Sequence, residues 1–168
     1  PKLVEKTLLT DNKIQNISST FNDAKGSMFL GRGFSYPIAL EGALKLKELS
    51  YVHAEGYPAG EMKHGPLALI EEGMPVIVIA PKDKYFEKTL SNMQEVMARG
   101  GKVLFITDNK KELMNENIRF GVRVPQIKGL LSPILLTVPI QLLAYHVALL
   151  KGCDIDKPRN LAKSVTVE

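Results

Sequence analysis

Residues 74 to 81 read MPVIVIAP, and in them Val76, Ile77, Val78 and Ile79 stand in an unbroken β-branched row. A strand with one wet face alternates apolar and polar side chains. This one offers no position to water, the pattern of a strand covered on both faces. GKVLFITD at 101 to 108 repeats it. Such strands belong to parallel sheets, because parallel neighbours need long crossovers and the crossover helices lie over the sheet.

The flanking segments supply further strands and the crossovers. SMFLGRG, 27 to 33, is a short apolar strand running into a glycine pair, and FGVRVPQ, 120 to 126, is a weaker third or edge strand. Residues 34 to 51 read as a helix, with Pro37 tolerable in its first turn. Residues 83 to 99 form an amphipathic helix with Leu90, Met93 and Met97 on one stripe. Ile14, Ile17 and Phe21 at helical spacing predict an N-terminal helix over about 3 to 22. EGYPAGEMKHGP, 55 to 66, reads as a loop rich in glycine and proline. LLSPILLTVPIQLLAYHVALL, 130 to 150, is about long enough to cross a bilayer. It carries Pro133, Pro139, Gln141 and His146 and stands alone, so a buried core helix is the better reading. Strands alternating with helices give an α/β fold: a parallel sheet with helices on both faces.

At 168 residues and 45% apolar, the chain is long enough to bury a core and falls in the range of one domain. A net charge of +4 spread over scattered basic residues makes no concentrated footprint for a phosphate backbone, so no nucleic acid is expected as partner. Cys153 is the only cysteine, which excludes an intrachain disulfide and fits a reducing, cytoplasmic compartment. The opening PKLVEKTLLTDNK lacks the apolar core of a signal peptide, and no membrane association is expected. No two histidines have metal-ligand spacing, Cys153 has no partner for a zinc site, and no Walker-type loop is present. Neither metal nor cofactor is expected.

In folds of this class ligands sit beyond the carboxyl ends of the strands, which directs attention to Gly31 to Ser35, the segment after Ala80, and Thr107 to Asn109. Gly31-Arg32-Gly33 is either an anion-receiving turn at a helix N-terminus or a strand-to-helix turn that needs small residues. More informative is the helix PIALEGALKLKELSY, 37 to 51. At 100° per residue Glu41, Lys45 and Glu48 fall within about 60° of one another. Ile38 and Leu49 border this stripe on one side, Leu40, Leu44 and Tyr51 on the other. A helix apolar nearly all round is expected to be buried, and buried ions cost several kcal/mol each unless paired. The stripe is thus a polar strip facing a cleft, where a carboxylate beside a lysine can act as general base, or a solvent-facing salt-bridge ladder. In GEMKHGPL, His64 sits where glycine and proline fix an exposed loop, placed to pass protons near neutrality. His53 and His146, in apolar or helical settings, read as structural.

Three blocks together, GRGFSYPIALEGALKLKELSY, HAEGYPAGEMKHGPLALI and DKPRNLAKSVTVE, resemble the C-terminal part of the glucosamine-6-phosphate synthase (glutamine:fructose-6-phosphate amidotransferase) family. The similarity runs over nearly the whole chain. It implies a sugar isomerase (SIS) fold, a flavodoxin-like three-layer αβα sandwich, with residues 1–152 as the second of two tandem SIS domains and 153–168 as a C-terminal tail over the sugar site. By the same resemblance Glu48 is the base that moves a proton between C1 and C2 of the open-chain sugar. Lys45 sits beside it, Glu41 supports the cluster on the substrate side, and His64 assists ring opening, supplied across a subunit interface. Lys163 contacts the sugar as a Schiff-base former, with Ala162 beside it. The implied ligands are fructose 6-phosphate and glucosamine 6-phosphate, in hexosamine synthesis toward UDP-N-acetylglucosamine, and the implied assembly is a homodimer.

The family's glutaminase half uses an N-terminal cysteine, but here the chain opens Pro1-Lys2. Its phosphate grip is a Ser/Thr-rich loop in the first SIS domain, and the comparable segment here reads APKDKYFEKT. The first SIS and glutaminase domains are therefore expected as missing partners, and the isolated chain is expected to be inactive or weakly active. With tail partners in an absent domain, residues 157 to 168 are expected to swing away from the domain or pack on a neighbouring chain. A non-catalytic phosphosugar-binding SIS module is the alternative, for which the Glu41, Lys45 and Glu48 stripe with His64 and Lys163 would have no use.

Overall fold

The computed structural model describes residues 1–127 and 129–159. These form β1 (Gly26–Gly31), β2 (His53–Pro58), β3 (Pro75–Ile79), β4 (Lys102–Thr107) and β5 (Phe120–Arg123). All pair in parallel, in the order β2-β1-β3-β4-β5. Strand order reverses between β1 and β3, the switch point where flavodoxin-like sheets open a crevice. The helices are α1 (Lys2–Leu8), α2 (Asp11–Ser18), α3 (Ser35–Ser50), α4 (Phe86–Met97) and α5 (Ser132–Leu150).

The period of two in the central strands builds two cores. Phe29, Ile77, Ile79, Leu104 and Ile106 point to one face and pack with residues of α2, α3 and α5. Met28, Leu30, Val76, Val78 and Phe105 point to the other and pack with α4 and the 3₁₀ segment Ala59–His64. The result is the three-layer sandwich that the apolar runs predict, with the FGVRVPQ segment as the β5 edge strand. In α5, Leu136, Ile140, Leu143 and Val147 are buried while Ile134 and Leu149 are exposed. The span Gly129–Leu150 is long and apolar enough to cross a membrane, yet it is half buried against the rest of the fold.

Three sequence expectations need correction. The single helix over 3 to 22 is two helices followed by a 3₁₀ turn, Ser19–Phe21. The break comes where the Thr10 amide and hydroxyl both donate to the Thr7 carbonyl, at 3.0 and 2.7 Å, closing the first helix at Leu8. The loop over 55 to 66 begins as strand, since His53–Pro58 pairs with β1 along its whole length. Gly56 and Pro58 disguised it. Proline is tolerated at a sheet edge, and at Gly56 a Cβ would lie 2.9 Å from the Leu40 Cα of α3, so the helix rests directly on the strand. His53, read as structural, has a side chain 73% exposed beside Glu55. His146 is buried as read, its Nε2 2.7 Å from Asp11 Oδ1, joining α5 to α2.

Candidate functional site

The polar stripe of α3 forms as the helical spacing predicts. Lys45 Nζ donates to Glu48 Oε2 at 2.6 Å, with the two side chains 31% and 25% exposed. The hydrogen bond to Glu48 lifts the lysine above its ordinary range; burial opposes this, and the charges of Glu48 and Glu41 reinforce it. Lys45 is therefore a fixed cation at neutral pH that orients the carboxylate. The inner face of α3, with Ala39, Gly42, Ala43, Leu46 and Ser50, is buried as expected. The apolar flank is not, since Leu40 and Leu44 are 43% and 41% exposed. The stripe thus lies between an exposed border, Leu40 and Leu44, and a border packed on the core, Ile38 and Leu49.

His64 ends the 3₁₀ segment Ala59–His64, which is capped by Gly65 at φ 139° and followed by Pro66. Its Nδ1 lies 2.7 Å from Glu61 Oε2, leaving Nε2 directed elsewhere. Met62 and Ala59 anchor the segment in the α4-side core, and Lys63 pairs with Glu95 of α4 at 2.8 Å. The stripe and His64 thus leave opposite faces of the sheet: α3 covers Phe29 and Ile77, whereas the His64 segment covers Met28 and Val78. The structure brings Glu41, Lys45 and Glu48 together and does not bring His64 to them.

The start of the tail is docked. Asp154 Oδ1 accepts the amides of Asp156 and Lys157 at 3.0 and 2.9 Å, and Pro158 is buried. The Arg159 amide donates to Tyr51 Oη at 2.7 Å while its guanidinium stacks 4.1 Å from the Tyr51 ring centre. The expected departure from the domain does not hold for residues 157–159, because Tyr51, at the C-terminus of α3, supplies a partner within the same domain. Ala162 and Lys163 lie outside the described residues.

A cavity of about 780 Å³ opens at the carboxyl ends of the strands, among the loops singled out by the topology, with Ser35, Lys82, Asp83, Tyr85 and Asp108 on its walls. Asp108 accepts the Lys82 amide at 2.7 Å and Asp83 the Tyr85 amide at 2.8 Å. Lys84 joins Lys82 on the same walls, so two lysines stand beside the two carboxylates. Arg32 turns away from the cavity to Asn92.

Chemically, the stripe offers a carboxylate at a fixed distance from a permanent cation, suited to lifting a proton from carbon and returning it nearby. Sequence reasoning missed three residues that hold the surroundings in place: Tyr51, Glu61 and Arg32. Glu61 and His64 are three apart, a signal hidden by reading their helical turn as loop. Arg32 and Asn92 are sixty residues apart, with no local signal.

The model of the family described as SIS domain matches residues 20–151. The chain is 58% identical, over its whole length, to the glutamine–fructose-6-phosphate aminotransferase (isomerizing) of Bartonella henselae. It is 54% identical to that of Escherichia coli, again over its whole length. In both cases the chain spans 28% of the relative. Among solved structures it is similar to the C-terminal domain of glucosamine-fructose-6-phosphate aminotransferase from Francisella tularensis. The TM-score is 0.89 and the identity 49%, covering 93% of this chain and 44% of that one.

Proposed function

The chain belongs to the SIS domain family, and on that premise we propose that it is the second SIS domain and tail of an isomerizing glutamine–fructose-6-phosphate aminotransferase. In the complete enzyme fructose 6-phosphate and ammonia released from glutamine become glucosamine 6-phosphate. Residues 1–152 carry the domain and 153–168 the tail. The observation that supports this reading most directly is the Lys45–Glu48 pair at 2.6 Å on a helix face bordered on one side by the exposed Leu40 and Leu44. A binding-only module has no need of an oriented carboxylate there.

The chemistry needs ring opening, a carbonyl activated as imine, and one base between adjacent carbons. His64 assists opening of the sugar ring. Lys163, whose amine is the side chain able to condense with a ketone, engages the sugar carbonyl, with Ala162 beside it. Glu48 takes the proton from C1 of the C2 imine and returns it to C2, so the ketose skeleton becomes the 2-amino aldose. A positioned base of this kind contributes roughly 10²–10⁴-fold. Lys45 orients Glu48, and Glu41 extends the same polar strip toward substrate. Because His64 and Glu48 leave opposite faces of one sheet, each site takes its histidine from a second subunit, which makes the enzyme a homodimer. The phosphate grip comes from the first SIS domain. The single unpaired cysteine accords with a cytoplasmic setting.

The test is Glu48→Gln in the full-length enzyme. Glucosamine 6-phosphate formation should fall by at least about 10²-fold while glutamine hydrolysis survives. Undiminished synthesis would remove Glu48 from the reaction.

A further inference from the structure

We infer that Arg32 is a positioning residue for His64, holding the histidine's turn against α4 through a guanidinium clamp. Arg32 follows the carboxyl end of β1, and its Nη2 and Nε both reach Asn92 Oδ1 of α4, at 2.8 and 3.3 Å. Asn92 is 4% exposed, so this acceptor is fixed by the core. On its other side the guanidinium meets the turn itself. A Cβ at Gly60 would lie 2.8 Å from Arg32 Nη1 and 3.0 Å from Cζ. The planar group therefore sits between the backbone of Gly60 and Asn92, whose Oδ1 accepts from its Nε–Nη2 edge. Arg32 pairs with no carboxylate among the described residues, so it works through its rigid donor fork and its shape, which a lysine does not reproduce.

The clamp adds to two other attachments of the same turn. Ala59 and Met62 are fully buried under it, and Lys63 pairs with Glu95 one turn beyond Asn92 on α4. Three contacts thus fix a six-residue turn whose last residue is His64. Among the described residues the polar partner of the histidine is Glu61, and its side chain is 73% exposed. Its placement comes from the turn below it, which meets the Arg32 guanidinium at Gly60 while the hydrogen bonds of Arg32 hold that guanidinium to Asn92. Misplacing a catalytic group by about 1 Å can cost about 10²-fold in rate.

The inference rests on the ring-opening role given to His64, and the experiment separates the two. In the full-length enzyme Arg32→Ala should lower kcat for glucosamine 6-phosphate formation by about 10-fold to 10²-fold. KM for fructose 6-phosphate and glutamine hydrolysis should stay near wild type. Added to His64→Ala it should cause no further loss. On 5-deoxyfructose 6-phosphate, which has no 5-hydroxyl to close a ring, the Arg32 defect should disappear. Arg32→Lys should recover only part of the rate, and Gly60→Ala, which presses on the clamp from the other side while keeping the cation, should reproduce the defect in a folded protein even where Arg32→Ala melts early. Wild-type kcat in Arg32→Ala and Gly60→Ala, a loss that multiplies with that of His64→Ala, or an equal loss on the acyclic sugar would overturn the proposal. If His64→Ala itself leaves synthesis intact, the role of His64 falls and the inference falls with it.

Discussion

Lys45 and Glu48 are three residues apart on α3, with side chains 31% and 25% exposed, and a helix pair that water still reaches contributes only about 0.3–0.5 kcal/mol to stability. Its geometry is thus free to serve chemistry. Lys45→Ala should lower the unfolding free energy, read by urea titration, by less than about 1 kcal/mol, yet reduce synthesis in the full-length enzyme by more than about tenfold. A large stability loss with unchanged turnover would make the stripe structural. A second residue-scale prediction concerns pH. Glu55 is held below the usual carboxylate range, first by the Tyr57 hydroxyl and then by His53, with burial opposing. A group whose pKa is lowered by folding stabilises above its unfolded value, about 4.3, and loses that contribution as pH falls through the lowered one. Tyr57→Phe should therefore melt below wild type at pH 7, and the gap should close on acidification below the carboxylate range. A gap that widens in acid would contradict the assignment.

Gly42 shows how an element can be judged by competing magnitudes. In an exposed helix, alanine would beat glycine by about 0.8–1.0 kcal/mol. In α3 a Cβ there would lie 2.6 Å from Phe29 Cε1 and 3.1 Å from Ile140 Cδ1, and both side chains are fully buried. Overpacking of that kind costs about 1–3 kcal/mol, so Gly42→Ala should lower Tm; a rise would mean that the α3–α5 contact yields more easily than its burial implies. The same elements show what a sequence reveals. Val76 to Ile79 and Val103 to Ile106 declared central strands because burial on both faces leaves no polar position. The stripe of α3 was legible because helical period alone puts Glu41, Lys45 and Glu48 on one face. β2 was not, because Gly56 and Pro58 answer to Leu40 and to the sheet edge, both facts of tertiary packing. The break at Thr10 was hidden because Ile14, Ile17 and Phe21 keep their helical spacing downstream of it. That His64 leaves the face opposite Glu48 depends on which face each connection crosses, which no local pattern records.

At the scale of the whole molecule, the chain spans 28% of the relatives it matches, and the site proposed for it draws on other polypeptide. The placement of Glu48 and His64 on opposite faces of one sheet carries a consequence that genetics can read. If each site of the proposed dimer draws its base from one subunit and its histidine from the other, two dead alleles can rescue each other. Full-length Glu48→Gln and His64→Ala chains are each expected to be inactive in synthesis. Co-expressed in equal amounts, they pair as mixed dimers half the time. Each mixed dimer then carries one doubly damaged site and one intact site, restoring about a quarter of wild-type synthesis. Failure of complementation, with mixed dimers verified by two affinity tags, would place both residues in the same subunit's site.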